Sequence, residues 1–437
     1  MLDTDRELTR NSYYAATAPP AAAFAPLQGS ASCDVAVVGG GLAGLSAAID
    51  LAARGRSVVL LEAREIGFGA SGRNGGQAIH GLACDQSVIE QQLGLDEARR
   101  VWAMSIEALD LLRERIAVHQ IDCNWRDGYL GLAVGVRKGL ELARWADHAE
   151  SAYGYSTARI GPGEIGRWIS SLRYHSGVHD PRSGHLHPLK YTRGLAVAAA
   201  AAGVRIHESS EVQSLQPGPR TVLRTAGGEL SATQVLLAGN VYLQGLAPQL
   251  AARIMPVGTY IACTERLPDA LADSLIPSRA AVCDTNFVLD YFRTTDDQRM
   301  LYGGRVSYST VTPNHLAESL RERMVQTFPQ LDSARIEYAW GGFVDITMNR
   351  APDFGRLPPA ASAAGVENIY YLQGFSGHGL ALSGLAGRLV AEAMCGDAGR
   401  FDVFARLKHR PFPGGKAVRM PALVLGMAWY RLRDMLG

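Results

Sequence analysis

Apolar positions first cluster at residues 33–38, a short run that a glycine turn separates from an apolar helical pattern over 43–53. A second run at 58–61 ends on Glu62. Two continuous apolar runs of strand length flanking a helix predict a βαβ unit, with parallel strands covered on both faces. Helical periodicity dominates over 88–118 and gives way to a strand pattern over 123–136, where Asp127 and Gly128 mark a turn. It resumes over 138–153. HDPRSGHLHPLK, residues 179–190, reads as a loop, and the Ala-rich stretch 194–202 as a tightly packed helix. Runs at 204–207 and 235–238 read as strands returning to the first sheet, with a hairpin around Gly227 and Gly228 between them.

From about 253 to 347 the pattern changes character. MPVGTYIACTE, FVLDYFRT, MLYGGRVSYS and IEYAWGGFVDI are alternating and aromatic, which predicts an antiparallel sheet with a helix over 313–328 inserted. The chain then returns to a buried strand, 369–372, and to a glycine-punctuated helix beginning near Gly379. No internal repeat is visible. A chain of 437 residues exceeds one ordinary domain, so two joined domains sharing a large core are expected.

Composition narrows the field. Hydrophobic residues make up 47 % and charged residues 19 %, a globular balance. The 43 basic and 42 acidic side chains leave a net charge of +1 with no block of one sign, so nucleic acid is not an expected partner. Cys33, Cys84, Cys123, Cys263, Cys283 and Cys395 are scattered without CxxC or metal spacing, as suits reduced thiols in a cytoplasm. MLDTDRELTR carries mixed charge and no signal-peptide core, and residues 15–26 are an Ala/Pro-rich linker. The apolar tail 422–430 is too short to span a bilayer and reads as a docked helix. A cytoplasmic protein without membrane contact is expected; the oligomeric state is not legible.

Three glycine-rich loops carry the chemistry. Gly39, Gly41 and Gly44 form GxGxxG between a predicted strand and a predicted helix, where missing side chains let backbone approach a pyrophosphate. Leu42 and Ala43 open that helix, whose N-terminus favours an anion. Glu62, 18 residues past Gly44 and followed by Ala63, is placed to accept bonds from both ribose hydroxyls of an adenosine. The second loop, GFGASGRNGGQ at 67–77, exceeds what a nicotinamide dinucleotide needs and points to a flavin. Gly69, Ala70, Ser71, Arg73, Asn74, Gly75, Gly76 and Gln77 are its candidate contacts, with Arg73 and Asn74 as side-chain donors. The third, GFSGHGLALSG at 374–384, joins a strand to a helix. Gly374, Gly377, His378, Gly379 and Leu380 there are placed to stabilise the negative charge of a reduced flavin. Val212, Ala238 and Gly239 complete the expected cofactor contacts. The fold class is therefore α/β: a discontinuous Rossmann-like FAD-binding domain from 31–85, 150–250 and 345–400, plus an α+β substrate domain with a large antiparallel sheet from 86–149 and 251–344. An N-terminal arm, 1–30, and a C-terminal helical tail, 401–437, flank them.

With NSYYAATA, DVAVVGGGLAGLSAA, IGFGASGRNGGQ, RERIAVHQIDC, SGHLHPL, LIPS, LDYFR, LYGG, TFPQL, NIYYLQGFSGHG and PFPGG, the chain resembles the gamma-glutamylputrescine oxidase family, within the amine oxidases of the D-amino-acid oxidase superfamily. The resemblance implies FAD, molecular oxygen as acceptor, and oxidation of a gamma-glutamylated diamine to aldehyde, ammonia and hydrogen peroxide. Two departures within the superfamily sharpen it. Where sarcosine oxidases carry a lysine two residues past the last glycine of a similar third loop, this chain has Ala381. Where glycine oxidases grip the substrate carboxylate with an arginine eight residues before a proline, it has Val344, and covalent flavin through a nearby cysteine is not expected.

The amine must enter neutral, because an ammonium has no lone pair to expel a hydride. Tyr260, Tyr291, Trp340 and Asp345 on the predicted antiparallel sheet, together with His378, are the candidate pocket residues. The aromatics also fit a plain core, and Asp345 a surface charge. His175, His185 and His187 lack the cysteine or acid partners of a zinc site, so no metal is expected. Arg350, with Pro352 and Gly355, reads as structural or FAD-adjacent. Three further readings stay open: a secondary-amine or imino-acid oxidase, a flavin dehydrogenase passing electrons to a partner or quinone, and a flavin-binding protein without catalysis.

Overall fold

The computed structural model describes residues 11–243, 245–286, 288–307, 315–358 and 367–413. The strand Gly29–Val38 leads through a glycine turn into the helix Leu42–Ala53 and back into the strand Val58–Leu61, which lies parallel to the first from Val35 opposite Val58 to Val38 opposite Leu61. Val35, Val37, Val59 and Leu60 are wholly buried, the continuous apolar run that covering on both faces demands. Strand order in this sheet is Asp353–Arg356, Ile369–Gln373, Gly228–Leu237, Gly29–Val38, Val58–Leu61, Arg205–His207, with the hairpin Ser214–Gln216 and Thr221–Arg224 added alongside Gly228–Leu237. Pieces distant in the chain thus meet in one parallel core.

The second sheet has nine strands. Ile336–Thr347, Ile254–Thr264, Met300–Ser307, Tyr291–Thr294 and Ala281–Asp284 follow one another antiparallel, and Ala281–Asp284 then pairs parallel with Arg126–Ala133. Ser176–His185 adds next, with Gln77–Ala78 and Ala158–Ile160 on it. The sheet therefore takes strands from 77–78, 158–160 and 176–185, segments that the sequence pattern groups with the first domain.

Several expectations need correction. Helix 88–118 is two helices, Gln86–Leu93 and Leu95–Val118, broken at Gly94, where φ is +83. Asp127 and Gly128 are no turn: they lie in Arg126–Ala133 where the register shifts, and Gly128, at φ +107, stands opposite the extra residues that Ser176–His185 carries there as a bulge. The stretch 179–190 is mostly ordered, as the end of Ser176–His185 and the start of the helix Pro188–Ala201. Pro188 stands at that helix's first position, and His187 caps it by accepting the Lys190 amide at 3.2 Å. FVLDYFRT contributes only Tyr291–Thr294 as strand. The inserted helix is Leu316–Thr327. The expected helix over 422–430 lies outside the described residues, and among those described no helix is long and apolar enough to cross a membrane.

Two helices that begin at the same cleft are locked together behind it. On Gly387 of Gly379–Met394 a Cβ would stand 2.6 Å from the Ala47 amide of Leu42–Ala53, so the helices touch backbone to backbone. Arg115 of Leu95–Val118 donates to Ser46 Oγ and, at 2.5 Å, to Asp50 Oδ2, while Ser46 Oγ donates to the Gly384 carbonyl. This buried, hydrogen-bonded cluster fixes where both helices start.

Candidate cofactor cleft and substrate wall

A cleft of about 1210 Å³ is lined by residues of both sheets and of all three glycine loops. Gly39 takes φ +117, and a Cβ on it would meet the Ala238 carbonyl oxygen at 2.7 Å, so the turn admits only glycine. Gly41 caps the helix and lines the cleft with Leu42 and Ala43; the Leu42 amide donates to Ser71 Oγ at 3.0 Å. The positive end of a helix dipole therefore opens on the cleft. Gly44 stands behind the lining. A Cβ there would lie 2.1 Å from the Gly39 carbonyl oxygen, so its part is to let helix and strand close.

Glu62 follows the strand Val58–Leu61. Its Oε2 accepts from the Gly40 amide at 2.6 Å and its Oε1 from the Arg64 amide at 2.8 Å. Burial holds its carboxyl above the ordinary range, while those two amides pull the other way. Ala63, Val212, Ala238 and Gly239 also line the cleft.

In the second loop Gly69, Ala70, Ser71, Arg73, Asn74, Gly75 and Gln77 line the cleft. Gly76 stands behind it at φ +75 against the Leu186 carbonyl. The donor role expected of the Asn74 side chain is corrected: its Nδ2 donates to the Ala70 carbonyl at 3.0 Å and the Ser71 carbonyl at 3.2 Å, and its Oδ1 accepts from the Gly76 amide at 2.8 Å. A tight glycine turn leaves backbone groups in need of partners, and this amide supplies them. Arg73 is buried with its guanidinium 4.3 Å from the Phe68 ring centre.

The third loop is held from the second sheet. Asp345 is no surface charge: it is 2 % exposed, and its Oδ2 accepts from the amides of Gly374 and, at 3.3 Å, Phe375. Its carbonyl accepts from the Ser376 amide at 2.9 Å. Burial pushes this carboxyl up to about 6. Gly374, at φ +79, lies behind the lining, whereas Ser376, Gly377, His378, Gly379 and Leu380 form it. His378 Nε2 donates to the carbonyls of His80, at 2.8 Å, and Ile79, at 3.2 Å. Burial pushes the imidazole down to about 4, so it is neutral at pH 7 and braces the loop.

The pocket aromatics separate. Tyr291 lines the cleft, its ring 2.7 Å from where a Gly75 Cβ would stand. Tyr260 and Trp340 do not; both are wholly buried behind it. Thr259 lines the cleft, so alternation turns Tyr260 to the opposite face. Trp340 packs with Tyr14, Leu189 and Ile261, and its Nε1 donates to the Arg73 carbonyl at 3.0 Å, bracing the second loop from outside. The rest of the wall is Tyr129, Cys283, Leu289, Phe343 and Val344. Cys283 Sγ donates to Gln77 Oε1 at 2.9 Å. Sequence reading named none of these five as wall residues except Val344, because alternation marks an inward face without saying which face meets the cleft. Arg350 lines the cleft too, exposed and at φ +59. His185 Nε2 bonds the Arg279 carbonyl at 2.9 Å and His187 caps its helix; burial pushes both down to about 3.

Residues 34–393 match the model of a family described as FAD dependent oxidoreductase. The chain is 45 % identical over 428 residues to a gamma-glutamylputrescine oxidoreductase of Escherichia coli, covering 98 % of this chain and 99 % of that one. To a probable oxidoreductase, OrdL, of Haemophilus influenzae it is 38 % identical, covering 94 % of each. Among solved structures, glycine oxidase from Geobacillus kaustophilus matches with TM-score 0.69 and 21 % identity over 83 % of this chain and 95 % of that one, a likeness of fold.

Proposed function

The chain belongs to the family of FAD-dependent oxidoreductases and acts on amine or amino-acid donors, and from that premise we propose that its substrate is a gamma-glutamylated diamine, oxidised at the carbon beside the terminal amine nitrogen. The observation that carries this reading is the likeness to the Escherichia coli enzyme over essentially the whole length of both chains.

The residues present fit the cofactor. The cleft is large, its floor is glycine where a Cβ would collide, a helix N-terminus opens on it at each end of the chain, and Glu62 retains lone pairs for ribose hydroxyls beyond its two backbone bonds. Gly39, Gly41, Leu42, Ala43 and Glu62 would hold the ADP half without a covalent link. The second and third loops would hold the flavin, which when bound supplies two-electron oxidation of the C–H bond beside nitrogen.

The chain's own groups prepare that step. Tyr129, Tyr291, Leu289, Phe343 and Val344 form an apolar wall suited to a methylene chain, and desolvation there favours the neutral amine. Three acids of the lining are held by the protein itself: Glu62 and Asp345 accept from loop amides, and Asp284, beside Cys283, accepts from the Asn286 and Asp290 amides at 3.0 Å each. Val344 offers no ion pair to a carboxylate beside the reacting carbon, which disfavours small α-amino acids. Arg350 at the cleft favours a second reading, an imino-acid substrate paired through its carboxylate.

Anaerobic mixing of holoenzyme with putrescine, gamma-glutamylputrescine, sarcosine and iminodiacetate separates these. Bleaching of the flavin band by gamma-glutamylputrescine, with fast return in air and peroxide formation, is expected. Bleaching by iminodiacetate or sarcosine instead would overturn the polyamine reading, and slow return in air would favour a quinone as acceptor.

A further inference from the structure

Arg293, on the strand Tyr291–Thr294, is 4 % exposed. Its Nε donates to the Gly75 carbonyl at 3.0 Å, and its Nη2 donates to the Leu186 carbonyl at 3.1 Å and the Tyr14 hydroxyl at 3.2 Å. Gly75 lines the cleft, and a Cβ on Gly76 would stand 3.0 Å from Nη2. Tyr14 belongs to the N-terminal arm yet is wholly buried, its ring centre 5.1 Å from that of Trp340 and 4.7 Å from that of His187. Arm, second sheet and second glycine loop thus converge on one guanidinium.

What distinguishes this cation is the lack of a counter-charge. Arg115, another deeply buried arginine, has Asp50 at 2.5 Å. Arg293 forms no ion pair among the described residues; three neutral oxygens satisfy it. A guanidinium keeps its proton even when buried, so its charge stays, and in a site shielded from water its field reaches further than at the surface. His185 and His187 register it: after burial, the Arg293 charge is the next cause holding both imidazoles down.

We infer that Arg293 is a positioning residue of the cofactor site with an electrostatic part: it clamps the second glycine loop through the Gly75 carbonyl, and its uncompensated charge favours reduced FAD, which is negative, over oxidised FAD. The inference rests on the family's cofactor and not on the choice of amine, so it survives if the substrate reading fails.

Two measurements on holoenzyme decide it: the flavin midpoint potential by dye equilibration, and FAD affinity by titrating deflavinated protein. Arg293→Gln keeps hydrogen-bonding capacity and removes the charge. It should lower the preference for reduced over oxidised FAD about tenfold, a midpoint lower by about 30 mV for a two-electron couple. Arg293→Lys keeps the charge and loses the fork, so its midpoint should stay at the wild-type value while FAD binds about tenfold more weakly. A wild-type midpoint in Arg293→Gln overturns the electrostatic part, and wild-type FAD affinity in Arg293→Lys overturns the clamp. Should Arg293→Gln not fold, Arg293→Lys decides alone: a midpoint lowered by the same tenfold despite the retained charge rejects the inference.

Discussion

Glu62 and Asp345 do the same job in two places, and how each reaches it differs. Each is a carboxylate, half-buried at Glu62 and buried at Asp345, that accepts from two backbone amides of glycine-bearing segments, Gly40 and Arg64 in one case, Gly374 and Phe375 in the other. In each, burial raises the carboxyl pKa and the amides oppose it. Glu62 ends the strand next to the one that feeds its turn, so cradle and latch belong to one βαβ unit. Asp345 ends a strand of the other sheet and reaches across to the loop that starts the helix Gly379–Met394. The first carboxylate shapes a cofactor contact directly; the second sets the relation between substrate wall and cofactor loop.

That contrast can be broken from its strong side first. Gly41→Val places a branched side chain at the helix N-terminus, where even a Cβ meets Ser71 Oγ at 2.8 Å, and Glu62→Gln turns an acceptor at the Gly40 amide into a group that can present a donor. Both variants should purify without flavin, read from the ratio of flavin to protein absorbance; normal occupancy in Gly41→Val removes the pyrophosphate from this turn. Asp345→Ala should be milder. It strands two buried amides at about 1–3 kcal/mol each, so Tm falls and FAD affinity drops about tenfold or more while colour persists. A colourless Asp345→Ala would erase the distinction drawn between the two acids.

Titration sharpens the comparison further. The Asp345 carboxyl rises from 3.8 to about 6 on folding, so the folded protein holds this proton more tightly than the unfolded chain. Its contribution is then fully present below the unfolded value and is lost as pH climbs through about 6. Wild type should gain on Asp345→Asn by on the order of 2 kcal/mol between pH 7 and pH 4, measured by denaturant unfolding of both at each pH. A difference that does not change with pH contradicts the buried, amide-bound carboxyl. The smallest effect is expected at Val344, beside Asp345 on the wall. Val344→Arg should bring weak turnover of a small amino acid such as glycine while FAD content stays normal; none at all, with polyamine turnover untouched, would place this wall elsewhere.

Much of the cofactor half was legible. Runs at 33–38 and 58–61, the glycines between them and Glu62 sit where the pattern put them, because a turn with φ +117 and a Cβ-free approach can be met only by glycine at that spot. Asn74 was misread because its residue type suits a ligand donor and a loop staple equally, and only the Gly76 amide beside it tells which. Trp340 and Tyr260 were misread for a different reason. Their strand spacing is right for the wall, but the same alternation serves the buried back face, and burial against Tyr14 or behind Thr259 is a fact of packing.

The sequence by itself determined the backbone requirements: where the chain turns too tightly for a side chain, where a helix must start, and which acid stands one strand away. Those demands are met within a few dozen residues, so local spacing encodes them. Only the tertiary structure decided which side chains face the cleft, that Asp345 is a latch, and that the N-terminal Tyr14 closes on Arg293. Such contacts join positions 29 to 279 residues apart through the pairing register of a nine-stranded sheet, and a shift of one residue in that register would reverse every face.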